Sequence, residues 1–434
     1  MTTKRRSFLK QAGMGTVLMT AAPAFARGNV NERVTLGVIG PGGMGSNHLQ
    51  NLVKRDDVNI AWVCDVDSDR TGKAVETVTA AGMKRPQSTS DMRNVFDDKD
   101  VDAVIIATPD HWHGPAVILA LNAGKHVYVE KPCCHNIREG QMMAAAVERS
   151  GKFLQVGTQS RSADFLMEAM QRIQEGEIGE VLVAKAWNSQ RRGSIGKQKP
   201  VDPPAHLNFD TWVGPAPMVP YQKNLLHGVW RWWYDFGCGD IGNDGIHDID
   251  VALWGLGITT LPTKATCIGG KYFFDDDQQF PDTQYAVFEY DEKTSTGAHK
   301  QMIFEQRIWS PYKHQGYENG QEFYGTKGHI VMGHTQGWKL YGERDKLLAE
   351  RNGQLSVVPH HDNFLACVRG EQKKTNADIG AGVRSATLVH LANIAARTGR
   401  LLNFDPELQK IVEDEESNAL LGRKYRNHWG TPAS

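Results

Sequence analysis

The stretch Val34-Thr35-Leu36-Gly37-Val38-Ile39-Gly40-Pro41-Gly42-Gly43-Met44-Gly45 organises the chain. An apolar run rich in β-branched residues reads as a buried strand. Gly40, Gly42 and Gly45 then follow the spacing G-x-G-x-x-G, and Ser46, Asn47 and His48 open a polar helix start. The first glycine lets the chain turn sharply, the second lets backbone approach a pyrophosphate, and the third lets helix pack on sheet. The helix N-terminus, with Gly43 and Met44 in its loop, then faces the phosphates. A glycine-rich surface turn would look similar, but here a second strand follows, Ile60-Ala61-Trp62-Val63-Cys64-Asp65. Asp65 lies twenty residues beyond Gly45, where an acid reaches the ribose hydroxyls. A carboxylate there repels a 2′-phosphate, so the expected cofactor is NAD. Arg70 is near enough in sequence to keep NADP as the minority reading.

Working outward, residues 1–26 read as a targeting segment. Arg5-Arg6-Ser7-Phe8-Leu9-Lys10 is a twin-arginine pattern, Ala12 to Ala22 is modestly apolar, and Ala24-Phe25-Ala26 is an A-x-A cleavage site. The apolar part is too short to span a bilayer, and no cysteine follows for lipid attachment, so no membrane anchor is expected. The expected address is the periplasm or another exported location, reached through the twin-arginine translocase. That route carries folded proteins, so the cofactor is expected to travel out bound. Removing the segment deletes Lys4, Arg5, Arg6 and Lys10 and takes the formal charge from −1 to −5. Such a surface offers nothing electrostatic to nucleic acid. The six cysteines show no C-x-x-C spacing, and no metal site is expected.

From residue 31 to 157 strand and helix patterns alternate, which predicts a parallel sheet. Val101 to Ala107 is a buried strand followed by a loop, Thr108-Pro109-Asp110-His111-Trp112-His113, and a helix from Pro115 to Asn122. His126 to Val129 is the next strand, ending in Glu130-Lys131-Pro132. A helix from Ile137 to Ser150 and a strand from Lys152 to Gly157 follow, with Gln159 and Arg161 just beyond. Residues 158–400 read differently: successive strands at 181–187, 263–268, 283–290, 301–308, 321–324 and 329–332 predict a mostly antiparallel sheet in an α+β domain. A long helix is expected over Ile379 to Thr398, and residues 401–434 read as a surface tail.

Two segments carry chemistry. Lys131, at the carboxyl end of a parallel strand, can lie beside the nicotinamide and stabilise a developing alkoxide. A solvated lysine fits the position equally well. Pro132 fixes the lysine backbone, and a cis bond is one way to do so. The second segment, Gly237 to Trp254, reads as a glycine-rich loop entering a helix. Helical spacing puts Asn243 and His247 on one face, with Asp250 next to His247. His247 is a natural proton acceptor; a satisfied buried histidine is the alternative, and a metal set with Asp244, Asp248 or Asp250 has the least support. Trp230, Arg231 and Trp232 could face a sugar ring or form a core cluster. Asp202 to Pro220, proline-rich and containing Trp212, reads as a loop over the pocket or an oligomer contact.

Taken together, Gly40-x-Gly42-x-x-Gly45, Asp65, Thr108-Pro109 with His113, Glu130-Lys131-Pro132 and Gly245-x-His247-x-x-Asp250 resemble the glucose–fructose oxidoreductase / inositol dehydrogenase (Gfo/Idh/MocA) family. The resemblance runs from Val34 to about Asn403. It implies a Rossmann domain joined to an open-faced sheet domain, a dimer or tetramer, and hydride transfer between NAD(P) and a sugar or polyol. It assigns Thr108, Pro109, His113, Glu130 and Lys131 to the cofactor side, and puts Lys131 and His247 beside the substrate. Gln159, Arg161, Trp230, Arg231 and Trp232 are the candidates for substrate contact. The family pattern has an aspartate four residues before the histidine; this chain has Asn243, an amide that cannot take a proton, with Asp244 next to it. A glycoside substrate, processed by NAD-dependent oxidation and elimination, is the rival reading, and a non-catalytic nucleotide-binding protein is a third.

Overall fold

The computed structural model describes residues 33–295, 297 and 299–432, and the twin-arginine segment lies outside them. Strands β1 (Val34–Ile39), β2 (Val58–Cys64), β3 (Gln87–Thr89), β4 (Ala103–Ile106), β5 (His126–Val129) and β6 (Leu154–Val156) form one parallel sheet in the order β3-β2-β1-β4-β5-β6. Helices α1 (Gly43–Leu52), α2 (Ser68–Ala80), α3 (Arg93–Asp97), α4 (Asp110–Asn122) and α5 (Ile137–Ser150) connect them. The strand order reverses between β1 and β4, which opens a crevice at their carboxyl ends. Both sheet faces are covered, so β4 is buried at all four residues, as an unbroken apolar run predicts.

After α6 (Asp164–Gln174) comes a ten-stranded, mostly antiparallel sheet. It holds β7 (Val181–Asn188), β8 (Lys264–Gly270), β9 (Thr283–Tyr290), β10 (Lys300–Arg307), β11 (Asn319–Gly325), β12 (His329–Gly333), β13 (Gly337–Tyr341), β14 (Leu347–Asn352), β15 (Leu402–Asp405) and β16 (Lys410–Ile411). The β7–β10 pair is parallel. The expected class, a Rossmann domain plus an α+β domain with a large sheet, is what forms. Between β7 and β8 lie α7 (Phe209–Val213) and α8 (Ile246–Leu256), and α9 (Val358–Val368) and α10 (Ile379–Thr398) follow β14. Phe364 and Leu365 of α9 pack into the core of β1, β2 and β5, so this late helix serves the first sheet.

Two expectations change. The loop expected over 108–113 is already helical from Asp110, a favourable residue for a helix N-terminus. The expected surface tail is partly structural: Leu402 pairs with Ala265, and Leu402 and Phe404 bury their alternate side chains. Further on, Tyr425 Oη donates to Glu139 at 2.7 Å, and Trp429 packs on Trp112 with ring centroids 5.2 Å apart.

Candidate active site

The cofactor wall is built mainly from backbone. Gly40 adopts φ +77°, a conformation that side chains disfavour, and a Cβ at Gly45 would run into the Gly40 carbonyl. Gly40, Gly42, Gly43 and Met44 line a long cleft together with Asp65, Arg70, Thr108, Pro109, His113, Glu130 and Lys131. Gly45 lies behind this lining, packed on Gly40. A Cβ at Gly42 would collide with the Arg70 guanidinium, which lies over the loop. Asp65 sits at the end of β2; burial pushes its carboxyl up to about 6, against the pull of the Asp67 amide and Arg70. A bare glycine cradle at a helix N-terminus, with an acid at the end of the next strand, fits a dinucleotide.

His113 and Glu130 line this cleft, yet each is tied to protein. His113 turns Nδ1 to the Pro132 carbonyl at 2.6 Å and Nε2 to the Thr108 carbonyl at 2.9 Å, so it braces the two loops. Glu130 Oε1 meets His48 Nε2 at 2.9 Å, and His48 Nδ1 meets His361 Nε2 at 2.8 Å. Burial alone would raise the Glu130 carboxyl, but the His48 hydrogen bond and the nearby Lys131 and His113 hold it below the usual range. Gln159 also serves this carboxylate, donating at 3.3 Å, rather than facing substrate.

The second segment singled out in the sequence, behind Lys131 and Arg231, differs from that reading in geometry. Residues 241–245 form a π-helical turn that leads into α8, not a loop. Its wider turn rotates Asn243 away from His247. Asn243 Oδ1 instead accepts from Arg231 Nε at 2.6 Å, and its Nδ2 donates to Asp240 at 2.9 Å. Its carbonyl accepts from Lys131 Nζ at 2.6 Å, which ties the end of β5 to the π turn. Asp250 shares α8 with His247, as the spacing predicts, but no hydrogen bond joins the two. Asp250 takes Arg161 Nε at 2.6 Å and Ser385 Oγ at 2.6 Å, so the Arg161 guanidinium is held in an internal ion pair. Trp230 and Arg231 line the cleft and stack, with the guanidinium 4.3 Å from the ring centroid. Trp232 lines a separate shallow depression with Ser194 and Lys223.

His247 is 8% exposed, and its Nδ1 has no hydrogen-bond partner among the described residues. Burial, then the charges of His334 and Lys131, push its pKa well below the usual histidine range. Its ring meets that of His334, from just beyond β12, with centroids 5.0 Å apart. His334 Nδ1 lies 3.2 Å from Asp248 Oδ1. Asp244 is ion-paired with Arg192. Burial would raise its carboxyl, but Arg192, Lys131 and His334 hold it below the usual range, which makes it a poor proton acceptor. His334, Arg192 and His361 are absent from the sequence reading, where His48 figures only as a helix-start residue and Asp248 only in the least supported metal set. His334 and Arg192 follow strands of the irregular domain, where no local pattern marks them.

The excursion between β7 and α8 shares the cleft lining with Asp65. Leu207 bridges Asp67, the His206 carbonyl accepts from the Ser68 amide at 3.0 Å, and His227 Nε2 lies 2.9 Å from Asp67 Oδ2. Trp212 closes the same cleft.

Comparison with known proteins bears on this arrangement. Residues 34–158 match an oxidoreductase family described as having an NAD-binding Rossmann fold, and residues 183–283 and 338–431 match that family's C-terminal α/β domain. The scyllo-inositol 2-dehydrogenase (NAD(+)) of Bacillus subtilis is 25% identical over 392 residues, covering 87% of this chain and 98% of that protein. A glycosyl hydrolase family 109 protein of Shewanella pealeana is 28% identical over 206 residues, covering 42% of this chain and 45% of that protein. The WlbA dehydrogenase of Bordetella pertussis, solved with NADH and UDP-GlcNAcA, superposes with a TM-score of 0.65 at 18% identity, over 86% of this chain and 99% of that one. The cradle, the acid after β2 and both matched regions lead to one assignment: the chain belongs to the Gfo/Idh/MocA oxidoreductase family and carries its NAD-binding Rossmann domain.

Proposed function

We propose that this oxidoreductase acts on a hydroxyl of a sugar or polyol, and that it does so as an exported protein holding its NAD tightly. The observation that carries the substrate side is the meeting of Lys131, from the end of β5, with the π turn and α8 that bear Asn243 and His247. Lys131 Nζ holds one carbonyl and keeps donors for a substrate oxygen, and stacked Trp230 and Arg231 give an aromatic plane suited to a sugar C–H face. Bound NAD supplies the hydride acceptor. The chain's own part is to hold the carbinol, stabilise its oxygen through Lys131 and accept its proton on the opposite wall. Similarity to an inositol dehydrogenase over nearly the whole chain supports the substrate class.

Export rests on the twin-arginine pattern, and cofactor retention is supported by the excursion that straps Asp67. A dimer or tetramer is expected through the open sheet face, where Ile268 is 74% exposed and Tyr285, its paired neighbour, 45%. The similarity to family 109 glycosyl hydrolases keeps a second reading, transient oxidation followed by elimination of an aglycone. This chain spans under half of that relative's length.

The test is a panel of sugars, polyols and glycosides given to protein purified without added nucleotide. Nucleotide should be found in the denatured supernatant, and a sugar or polyol should raise absorbance in the NADH band. Aglycone release without net NADH would move the assignment to the hydrolase. No response to any member would reduce the protein to a nucleotide-binding scaffold.

A further inference from the structure

The family pattern resembled by this sequence pairs its histidine with an aspartate four residues earlier, and here that aspartate is Asn243. The structure also withholds a carboxylate from His247 by other routes. Asn243 is held by Arg231 and Asp240, Asp250 by Arg161 and Ser385, and Asp244 by Arg192. His247 therefore lacks a group to fix its tautomer or to share the charge of an imidazolium.

The missing dyad is present one ring away. His334, 17% exposed, turns Nδ1 toward the fully buried Asp248, 3.2 Å from Oδ1. Gln321 Nε2 donates to the same oxygen and holds that carboxylate in place. With Nδ1–H on Asp248, the lone pair of His334 lies at Nε2, which makes no bond to the described residues. The ring packs edge-on against His247 at 5.0 Å, and both imidazoles lie within reach of the Lys131 charge, His334 within reach of Asp244 as well. A histidine oriented by a buried carboxylate is the arrangement in which imidazole accepts a proton during catalysis.

We propose that His334, backed by Asp248, takes the proton of the substrate hydroxyl, and that neutral His247 holds the same oxygen by a hydrogen bond. This rests on the reading of the protein as an alcohol-oxidising enzyme. The carbinol loses a hydride with its electron pair to the oxidised nicotinamide and a proton to His334 Nε2, leaving a carbonyl. The surrounding charges agree: burial opposes protonation of His334, as does Lys131, but Asp248 and Asp244 together raise its pKa above the usual histidine value. His247 faces His334 and Lys131 without a carboxylate contact.

The experiment combines a pH profile with a titration that needs no turnover. For alcohol oxidation, kcat/KM should fall on the acid side with an apparent pKa above about 6.5, the ordinary histidine value. His334→Gln should lower kcat between about a hundredfold and ten-thousandfold and remove that limb. Asp248→Asn should move the limb downward, and His247→Gln should lower the rate while leaving the limb in place. In protein carrying ¹³C at histidine Cε1, the resonance lost in His334→Gln should titrate above pH 6.5 and move down in Asp248→Asn. A limb that survives His334→Gln, or one that vanishes only in His247→Gln, overturns the proposal, as does a His334 resonance titrating at or below the usual value. If His334→Gln fails to fold, Asp248→Asn and the titration decide alone. If wild type oxidises no alcohol, the functional reading fails, while the titration still reports on the dyad.

Discussion

The two walls of the cleft are built in opposite ways. The cofactor wall comes from one stretch, residues 34–131, and its main contacts are backbone at a glycine cradle and strand ends. The wall proposed to meet substrate draws on Lys131 and Arg231, which line the cleft, and on Arg192, Asn243, His247 and His334 near them, with partners up to 112 residues away across a single hydrogen bond. A dinucleotide's phosphates and riboses are the same in every host, so one local geometry serves them. A substrate hydroxyl must be held by side chains whose spacing depends on the whole fold. Mutations in the two walls should therefore separate, one class losing nucleotide and the other losing turnover.

The largest effect tests this separation at the residue that touches both walls. Lys131→Ala should lower kcat between about a hundredfold and ten-thousandfold, because a donor to developing negative charge is lost. The nucleotide content of the purified protein should stay near one per chain. If Lys131→Ala emerges without nucleotide, the lysine belongs to the cofactor wall and the division fails where it was drawn. On the other side, Gly45→Val forces a branched side chain into the Gly40 carbonyl and the Ala107 methyl group. Nucleotide affinity should fall on the order of a hundredfold, about 2.7 kcal/mol, by calorimetry on stripped protein. Retained affinity would mean that the cradle shifts to accommodate the side chain.

The same contrast explains what could be read from residues alone. The glycine spacing, Asp65, the parallel alternation and Glu130-Lys131-Pro132 are local patterns with local causes, and the Rossmann sheet could be written down from them. Strands β9 and β10 were also legible, because their faces alternate. Strands β13 and β14 were not: Leu347-Leu348 is a doublet with both side chains exposed, so period two is broken. The π turn was illegible for a different reason. Helical spacing assumes a fixed turn, and one wide turn sends Asn243 to Arg231 instead of His247. His334, Arg192 and Asp248 meet only through tertiary packing, and His48 reads as an ordinary helix-start residue until Glu130 is placed against it.

A smaller effect sharpens the cofactor side. Burial raises Asp65 to about 6, so the folded state binds its proton more tightly than the unfolded chain does. Its contribution to stability is full below about pH 4 and is lost as pH rises through about 6. At pH 7 the nucleotide-free protein therefore carries an ionised, half-buried carboxylate at a cost of about 3 kcal/mol. Asp65→Asn should raise the Tm of stripped protein at pH 7, leave it little changed near pH 4, and weaken NAD binding. A Tm unchanged at pH 7 would mean that the Asp67 amide and Arg70 already offset the burial.

The smallest effect falls where the two walls cease to be separate. The strap from residues 200–236 arises in the substrate domain but fastens to the cofactor wall through Asp67. Burial and Arg70 push His227 below the usual histidine pKa, while His227, the Asp69 amide and His206 hold Asp67 low despite its burial. Near neutral pH the fastening is thus a neutral imidazole donating to a carboxylate. Asp67 also caps α2 by accepting from the Asp69 amide at 2.9 Å, so removing it would confuse two effects. His227→Gln isolates the strap: it leaves the cap intact and replaces a fixed ring with a flexible amide. Loss of one charge-assisted bond is worth about 1.4 kcal/mol, so bound nucleotide should exchange about tenfold faster in a chase, with kcat unchanged once NAD is saturating. Unchanged exchange would assign retention to the glycine cradle alone and restore the separation. Faster exchange would mean that the substrate domain decides how long the cofactor stays.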